Sequence, residues 1–287
     1  MSSKSSVIQE ARNQYHKQLL ESILTVSDTG VASNADSSSK LSKRIAKGIT
    51  DILNTRISEK AVGQTSGKAF EEINMQFLQN VLPAIHEFRP GKWTVQRLGN
   101  SNKKGIADFE QYAHLDELNA LANSNHILAT AMGRDYMVCP DVIIFRDPLS
   151  DEELNANKLL VDDETARKTV LRKSNGGKQI LHASVSSKWT IRSDRSQNSR
   201  TEALNLIRNR KGHLPHIVVI TAEPLPSRIA SIALGTGDID CVYHSFLNEL
   251  LESVKVAEAE DALEMLNIMI EGKRLKDISD LPFDLMV

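Results

Sequence analysis

Four short runs of apolar, mostly β-branched residues recur along this chain, and segments with helical periodicity lie around them. The runs occupy residues 93–96, 138–145, 180–189 and 216–221. Runs of this length, bounded by turn-forming residues, are typical of strands in a buried sheet. Apolar residues at helical spacing predict helices over residues 40–53, 66–82, 115–131, 197–210, 244–255 and 257–271. Strands that alternate with helices predict an α/β fold, in which helices flank a mixed central β-sheet.

The length of the chain is consistent with one large domain. It has 287 residues, of which 40% are hydrophobic, and this is enough to form a sizeable core. No internal repeat and no linker-like segment interrupts the sequence. We therefore predict a single domain over residues 1–287, with a polar insertion at about residues 147–178.

The sequence also indicates the compartment. No apolar stretch of the kind found in a secretory signal follows Lys4, and the longest apolar runs are too short to span a bilayer. The cysteines are Cys139 and Cys241, so neither a disulfide framework nor a set of thiolates for a zinc site is expected. These features predict a soluble cytoplasmic protein without a membrane partner.

The net charge of −2 conceals an uneven distribution of charge along the chain. Residues 188–211 contain seven basic and two acidic residues, a net charge of +5. Residues 249–287 contain ten acidic and four basic residues, a net charge of −6. A concentrated basic segment suits a polyanion such as a nucleic acid, although a solvated helix face rich in arginine has the same composition.

Three charged residues occur at informative places in the predicted elements. Asp141 follows Pro140 and opens an apolar strand, where an aspartate must be solvated, paired or bound to a metal ion. Lys188 lies two residues after Ser186 in the next long strand, so both side chains are expected on the same face. Glu202 is predicted near the start of the following helix. Each residue alone has a structural explanation, but their order and context favour a catalytic site.

The pair Pro140-Asp141, followed on a neighbouring strand by an acid, any residue and a lysine, resembles the motif of the PD-(D/E)xK nuclease superfamily. Here Ser186 replaces the acid. A subset of type II restriction endonucleases that cut targets with a CCGG core shows the same departure, and the following helix supplies the missing carboxylate. The segments 186–188 and 192–195, with Glu202 after them, resemble that subset, and the resemblance extends along the whole chain.

The resemblance implies a restriction-endonuclease-like core and a site that holds Mg²⁺, with two ions bound by Asp141 and Glu202. At such a site Lys188 would stabilise charge on the attacked phosphate or orient the nucleophile, and Ser186, by its place in the motif, would line the site. Glu71 is implied as a further acid, which agrees with its position at the edge of the apolar face of helix 66–82.

The resemblance also implies the substrate and the assembly. A homotetramer, made of two back-to-back dimers, would bind double-stranded DNA at palindromic sites. A dimer at least follows from the substrate, because a palindrome cut on both strands is most simply read by a two-fold protein. Resemblance within the subset implies the target GCCGGC. Arg228 and the loop around Asp36 are candidate readers of the outer base pair, and Gln64 is a further candidate for base recognition.

Base chemistry assigns the CCGG core to residues 192–195. Arginine pairs bidentately with guanine O6 and N7, and a carboxylate accepts from cytosine N4. Arg192 and Arg195 provide one arginine for each guanine of a half-site, and Asp194 provides an acceptor for the neighbouring cytosine amines. A local salt bridge in a basic loop is the structural alternative.

Three other classes of protein remain as alternatives. A sequence-specific DNA-binding protein without catalysis would explain the basic segment but not the arrangement of Asp141, Lys188 and Glu202. A repair or structure-specific nuclease of the same superfamily would share these residues but would not need Asp194 between two arginines. A metabolic α/β enzyme would need a nucleotide loop, and residues 63–68 have three residues between their glycines where four are required.

Overall fold

The structure is a computed structural model that describes residues 5–53, 63–98, 105–132, 138–235 and 237–287. For residues 63–65, 131–132 and 193–196 it describes the backbone alone. The chain divides into two compact units. Unit 1 comprises residues 1–89, 185–201 and 217–287, and unit 2 comprises residues 90–184 and 202–216. That the whole chain forms a single domain stays a prediction.

Six strands form one mixed sheet in the order β1-β2-β3-β4-β5-β6. The strands are β1 (Trp93–Arg97), β2 (Val142–Arg146), β3 (Ile180–Lys188), β4 (His216–Thr221), β5 (Cys241–His244) and β6 (Leu275–Asp277). Within unit 2, β1 and β2 pair antiparallel, from Trp93 opposite Arg146 to Arg97 opposite Val142. Within unit 1, β4 pairs parallel with β5, and β5 pairs parallel with β6. The mixed sheet with its flanking helices confirms the predicted fold class.

The helices of unit 1 come from both ends of the chain. They are α1 (Val7–Ser22), α2 (Lys40–Ile52), α3 (Gly63–Val81), α8 (Pro226–Ala233), α9 (Leu247–Val256), α10 (Glu260–Glu271) and α11 (Leu281–Asp284). Helix α1 packs on α3, and α2 packs on α9. The side chains of Ser6 and Ser39 accept hydrogen bonds from the first turns of α1 and α2, so both helices begin at capped positions. Pro83 lies at the start of a 3₁₀-helix that follows α3, where an α-helix could not continue.

Unit 2 carries shorter helices around its part of the sheet. These are α4 (His114–Ser124), α5 (His126–Met132) and α6 (Asp151–Leu154). Helix α7 (Ser193–Asn209) begins in unit 1 and continues into unit 2. The single helix predicted over residues 115–131 is two helices, because Asn125 interrupts it and its Oδ1 accepts hydrogen bonds from the backbone of Ile127 and Leu128.

Several boundaries differ from the predicted ones, and two of the differences concern site residues. Strand β2 starts at Val142, four residues later than predicted, so Asp141 directly precedes it. Helix α7 starts at Ser193, whereas the periodicity predicted a start at residue 197. Glu202 is therefore in the middle of the helix, and the expectation that it lies near the helix start is wrong. No helix in the described part of the chain combines the length and the apolar character needed to cross a membrane.

Candidate active site and recognition residues

The end of β3 carries Ser186 and Lys188 in unit 1. Both are half-buried, whereas Ser187 between them is buried, so the alternation of the strand places them on the same face. The backbone oxygen of Lys188 accepts a hydrogen bond of 2.8 Å from Thr221 Oγ1 at the end of β4. The hydroxyl oxygen of Ser186 is buried and has no hydrogen-bond partner among the residues that the structure describes. It is an unused polar atom at the position where the nuclease motif has its acid.

Helix α3, which carries Glu71, is held against the end of β3 by two contacts. Phe70 packs edge-on against Trp189, with ring centroids 5.2 Å apart. Asn74 donates a hydrogen bond of 3.0 Å from Nδ2 to Ser187 Oγ. Glu71 is half-buried and lies on the helix between the two residues that make these contacts. The fold therefore fixes the segment of Glu71 relative to the segment of Lys188.

The two carboxylates predicted as metal ligands belong to unit 2. Asp141 is half-buried at the entrance to β2, and its backbone oxygen accepts from the amide of Leu98, just after β1, at 3.1 Å. Glu202 is half-buried on α7. The hydroxyl of Tyr112 donates to the backbone oxygen of Leu206, one turn further along, and anchors this part of the helix.

The donor chemistry of these two residues fits Mg²⁺. This ion is usually bound by one or two carboxylates, together with water and substrate phosphate. Within the described ranges, no cluster of three or more histidine, cysteine, aspartate or glutamate side chains is arranged to hold a metal ion. A two-carboxylate site does not need such a cluster, so Asp141 and Glu202 have the donor chemistry that such a site would require.

A second group of predicted residues meets in unit 1. Asp36 and Arg228, separated by 192 residues in the sequence, form an ion pair. Together with Arg192 and Thr190 they line a cavity of about 280 Å³. Asp36 also accepts hydrogen bonds from the hydroxyl and the backbone amide of Ser38, at 2.7 and 2.9 Å. These bonds and the nearby Arg228 guanidinium lower the pKa of Asp36 to about 2.

Sequence analysis did not identify Glu223, which lies behind this cavity. Its side chain is fully buried, and its two carboxylate oxygens accept hydrogen bonds from the amides of Ile191, at 2.8 Å, and Leu225, at 3.1 Å. Arg228 Nη1 is 3.9 Å from Glu223 Oε2. Burial raises the pKa of Glu223 to about 7. The sequence signal that could have identified it is an acid two residues after the end of the apolar strand β4.

Three predicted base-reading residues can be placed only by their backbone. Asp194 and Arg195 lie in the first turn of α7, and Gln64 lies in the first turn of α3. Their side chains lie outside what the structure describes. Arg192, immediately before α7, has an exposed side chain.

The basic segment contains at least one arginine with a structural role. Arg200 donates to the backbone oxygens of Ser231, at 3.1 Å, and Leu234, and its Nη1 is 3.1 Å from Asp238 Oδ2. Its guanidinium therefore holds α7 to the end of α8. In contrast, Arg208 and Arg210 are exposed near the end of α7, and the composition alone could not distinguish these roles.

Comparisons with known proteins identify the family of the chain. The NgoMIV restriction enzyme family matches residues 15–287. The type II restriction enzyme NgoMIV of Neisseria gonorrhoeae is 53% identical over 280 residues, covering 97% of this chain and 98% of that enzyme. The restriction endonuclease PspGI in a complex with substrate DNA covers 98% of this chain and 90% of its own, at 14% identity. Its TM-score is 0.27, too low to support an inference. The family match and the close relative show that the chain belongs to the NgoMIV family of type II restriction endonucleases.

Proposed function

We propose that this endonuclease cuts double-stranded DNA at a palindrome with a CCGG core, that the full target is GCCGGC, and that cutting depends on Mg²⁺. The observation that carries the proposal is the 53% identity to the type II restriction enzyme NgoMIV across nearly the full length of both chains. The matching region of the family includes every residue assigned to the site.

The chemistry of the site residues supports hydrolysis of a phosphodiester. When bound, Mg²⁺ would activate a water molecule and polarise the phosphate. Asp141 and Glu202 would hold the ions through their carboxylates. The ammonium group of Lys188 would stabilise negative charge that develops on the attacked phosphate. Glu71 would add a further acid, and the hydroxyl of Ser186 would line the site without replacing the charge of a carboxylate.

Base recognition is assigned to two groups of residues. Arg192 and Arg195 would each read one guanine of a half-site, and Asp194 would accept from the cytosine amines. The ion pair of Asp36 and Arg228 supports these two residues as readers of the outer base pair, because it places an acceptor and a guanidinium on one cavity wall. Gln64 completes the proposed set.

The substrate and the family suggest how the chain works in the cell. A palindrome cut on both strands requires at least a two-fold assembly, and we propose a homotetramer made of two dimers. Cys139 and Cys241 carry reduced thiols and are not joined in a disulfide bond, which suits a reducing cytoplasm.

Digestion of phage DNA and sequencing of the fragment ends test the proposal. We expect discrete fragments with ends inside GCCGGC in Mg²⁺, and intact DNA in EDTA. A specific gel shift in Ca²⁺ without cutting in Mg²⁺ would instead show a DNA-binding protein without catalysis. Random ends, or cuts only at junctions, would show a repair or structure-specific nuclease.

A further inference from the structure

We propose that Glu223 is a positioning residue for sequence recognition, and that its buried carboxylate orients Arg228 toward the outer base pair of the target. This inference rests on the proposed function. Glu223 is not assigned a contact with DNA, because its side chain is fully buried.

The first observation is the position of the carboxylate behind the recognition cavity. Glu223 Oε2 accepts from the amide of Ile191, the residue just before Arg192. Arg228 has Nη2 bonded to Asp36 and Nη1 3.9 Å from Glu223 Oε2. Its guanidinium is therefore held between two acids. Holding an arginine in one orientation before binding reduces the conformational entropy lost when it contacts a base.

The second observation is that the turn carrying Glu223 is itself fixed at its backbone. The amide of Phe246 donates to His244 Nδ1 at 3.0 Å, so the proton of the neutral imidazole lies on Nε2. This Nε2 donates to the backbone oxygen of Glu223 at 3.0 Å. Burial lowers the pKa of His244 to about 4, which keeps the ring neutral. Asn34 Nδ2 donates to the oxygen of Ala222 at 2.9 Å and joins the Asp36 loop to the same turn.

The third observation links this turn to the candidate active site. Thr221 Oγ1 accepts from the amide of Glu223 at 3.2 Å and donates to the backbone oxygen of Lys188 at 2.8 Å. One buried turn thus contacts the strand end of Lys188, the segment of Arg192 and the side chain of Arg228. A surface acid that serves only solubility would make none of these contacts.

A glutamate is the side chain that satisfies this environment. Both of its oxygens accept from backbone N–H donors, and at a pH above its pKa of about 7 its negative charge faces the Arg228 guanidinium. A glutamine has one acceptor oxygen and one NH₂ group, so one N–H would face another donor and the charge opposite Arg228 would be lost. Glu223→Gln therefore changes the contacts of the cavity wall with little change in side-chain shape.

The test measures kcat/KM for wild type and Glu223→Gln on three duplexes: GCCGGC, ACCGGT with a changed outer pair, and GCATGC with a changed core. Discrimination is the ratio of kcat/KM on GCCGGC to kcat/KM on the changed duplex. We expect Glu223→Gln to lower this ratio for ACCGGT by about tenfold, within the range of one base-reading contact. Discrimination against GCATGC should stay within about twofold of wild type. Glu223→Asp, which keeps the charge, should retain more outer-pair discrimination than Glu223→Gln. Glu252→Gln, an exposed glutamate in the same unit, serves as the matched control.

A double mutant separates positioning from general destabilisation. If Glu223 acts through Arg228, Glu223→Gln should add less than about twofold to the loss of outer-pair discrimination caused by Arg228→Ala. If Glu223→Gln does not fold, Thr221→Val removes the hydroxyl that holds the turn, and Thr221→Ser keeps it. Outer-pair discrimination should then fall in Thr221→Val and be retained in Thr221→Ser.

The possible outcomes have distinct meanings. Wild-type discrimination of the outer pair in Glu223→Gln, equal losses on ACCGGT and GCATGC, or full additivity with Arg228→Ala would each overturn the positioning role. Equal outer-pair discrimination in Thr221→Val and Thr221→Ser would also overturn the positioning role. A wild-type enzyme that does not cut GCCGGC would instead overturn the proposed function itself.

Discussion

At the scale of single residues, the proposed catalytic residues and the proposed recognition residues have different surroundings. Lys188 and Ser186 share one face of β3 and are half-buried. Arg228 and Asp36 are paired with each other at a cavity wall. Substitutions in the first group should therefore affect cleavage, and substitutions in the second group should affect discrimination between sites.

The first prediction concerns Asp141→Ala and Lys188→Ala. Each should abolish detectable cleavage, a loss of more than roughly 100-fold, because one removes a metal ligand and the other removes charge stabilisation. Specific binding should remain, since neither residue is assigned a base contact. Gel shifts in Ca²⁺ and cleavage assays in Mg²⁺ measure the two effects, with the exposed Asp261→Ala and Lys255→Ala as controls. Near wild-type cleavage by either variant would show that the active site has been assigned wrongly.

The second prediction compares Glu202→Gln with Ser186→Ala. Glu202→Gln should be inactive, because an amide keeps the shape of the side chain but loses the charge that binds a divalent ion. Ser186→Ala should cost less than about tenfold, because it removes a hydroxyl rather than a charge. Cleavage rates at several Mg²⁺ concentrations measure both variants. The reverse ranking would show that the missing carboxylate of the motif does not come from α7.

At the scale of secondary-structure elements, α7 has two roles along its length. Its first turn carries the backbone of Asp194 and Arg195. Further along, Arg200 donates to the backbone oxygen of Ser231 and pairs with Asp238, which attaches α7 to the region after α8. This attachment fixes the first part of α7, which carries the proposed base-reading residues, within unit 1.

The third prediction follows from this attachment. Arg200→Met should lower the free energy of unfolding by about 1–3 kcal/mol, because it leaves acceptors of α8 without their donor. It should leave the salt dependence of non-specific DNA binding unchanged, since Arg200 is engaged within the protein. Urea denaturation and binding titrations at several salt concentrations measure the two quantities. The exposed Arg208→Met should change stability by less than about 0.5 kcal/mol. The salt dependence is the slope of the logarithm of the binding constant against the logarithm of the salt concentration. A decrease of about one in the magnitude of this slope in Arg200→Met would show that Arg200 contacts phosphate instead.

At the scale of the whole molecule, buried polar groups connect segments that are distant in the sequence. In unit 1, Arg12 of α1 forms ion pairs with Asp277 of β6, at 2.9 Å, and Glu249 of α9, at 2.8 Å. His244, fully buried at the end of β5, joins the Glu223 turn to the segment before α9. The stability of this unit therefore depends on groups whose protonation is coupled to folding.

The fourth prediction concerns acid stability and His244. Below about pH 6.5 the unfolded chain binds a proton at this histidine, whereas burial lowers the folded pKa to about 4. The stability due to neutral His244 is fully present above pH 6.5 and decreases as the pH falls from about 6.5 to about 4, by roughly 3 kcal/mol. His244→Gln, which can keep both hydrogen bonds, should show a smaller loss over this range. Unfolding at pH 7, 5.5 and 4.5 measures it, with the exposed His213→Gln as control. An unchanged pH dependence in His244→Gln would contradict the buried neutral state.

The sequence by itself determined those features that depend on neighbouring residues. Strand β4 has its predicted boundaries, and α2 differs from its prediction by one residue, because periodicity and capping act within a few residues of each other. Asp141 directly before a strand was predicted correctly for the same reason. Strands β5 and β6, with four and three residues, were missed because such short segments carry too little pattern.

Only the tertiary structure decided which distant side chains act together. Asp36 and Glu223 both approach the guanidinium of Arg228 although 192 residues separate Asp36 from Arg228, and no local pattern records that approach. The structural role of Arg200 was equally hidden, because an arginine bonded to carbonyl oxygens and an arginine facing solvent have the same sequence signature. Secondary structure follows from interactions among near neighbours, whereas the partners of a charged side chain follow from the path of the whole chain.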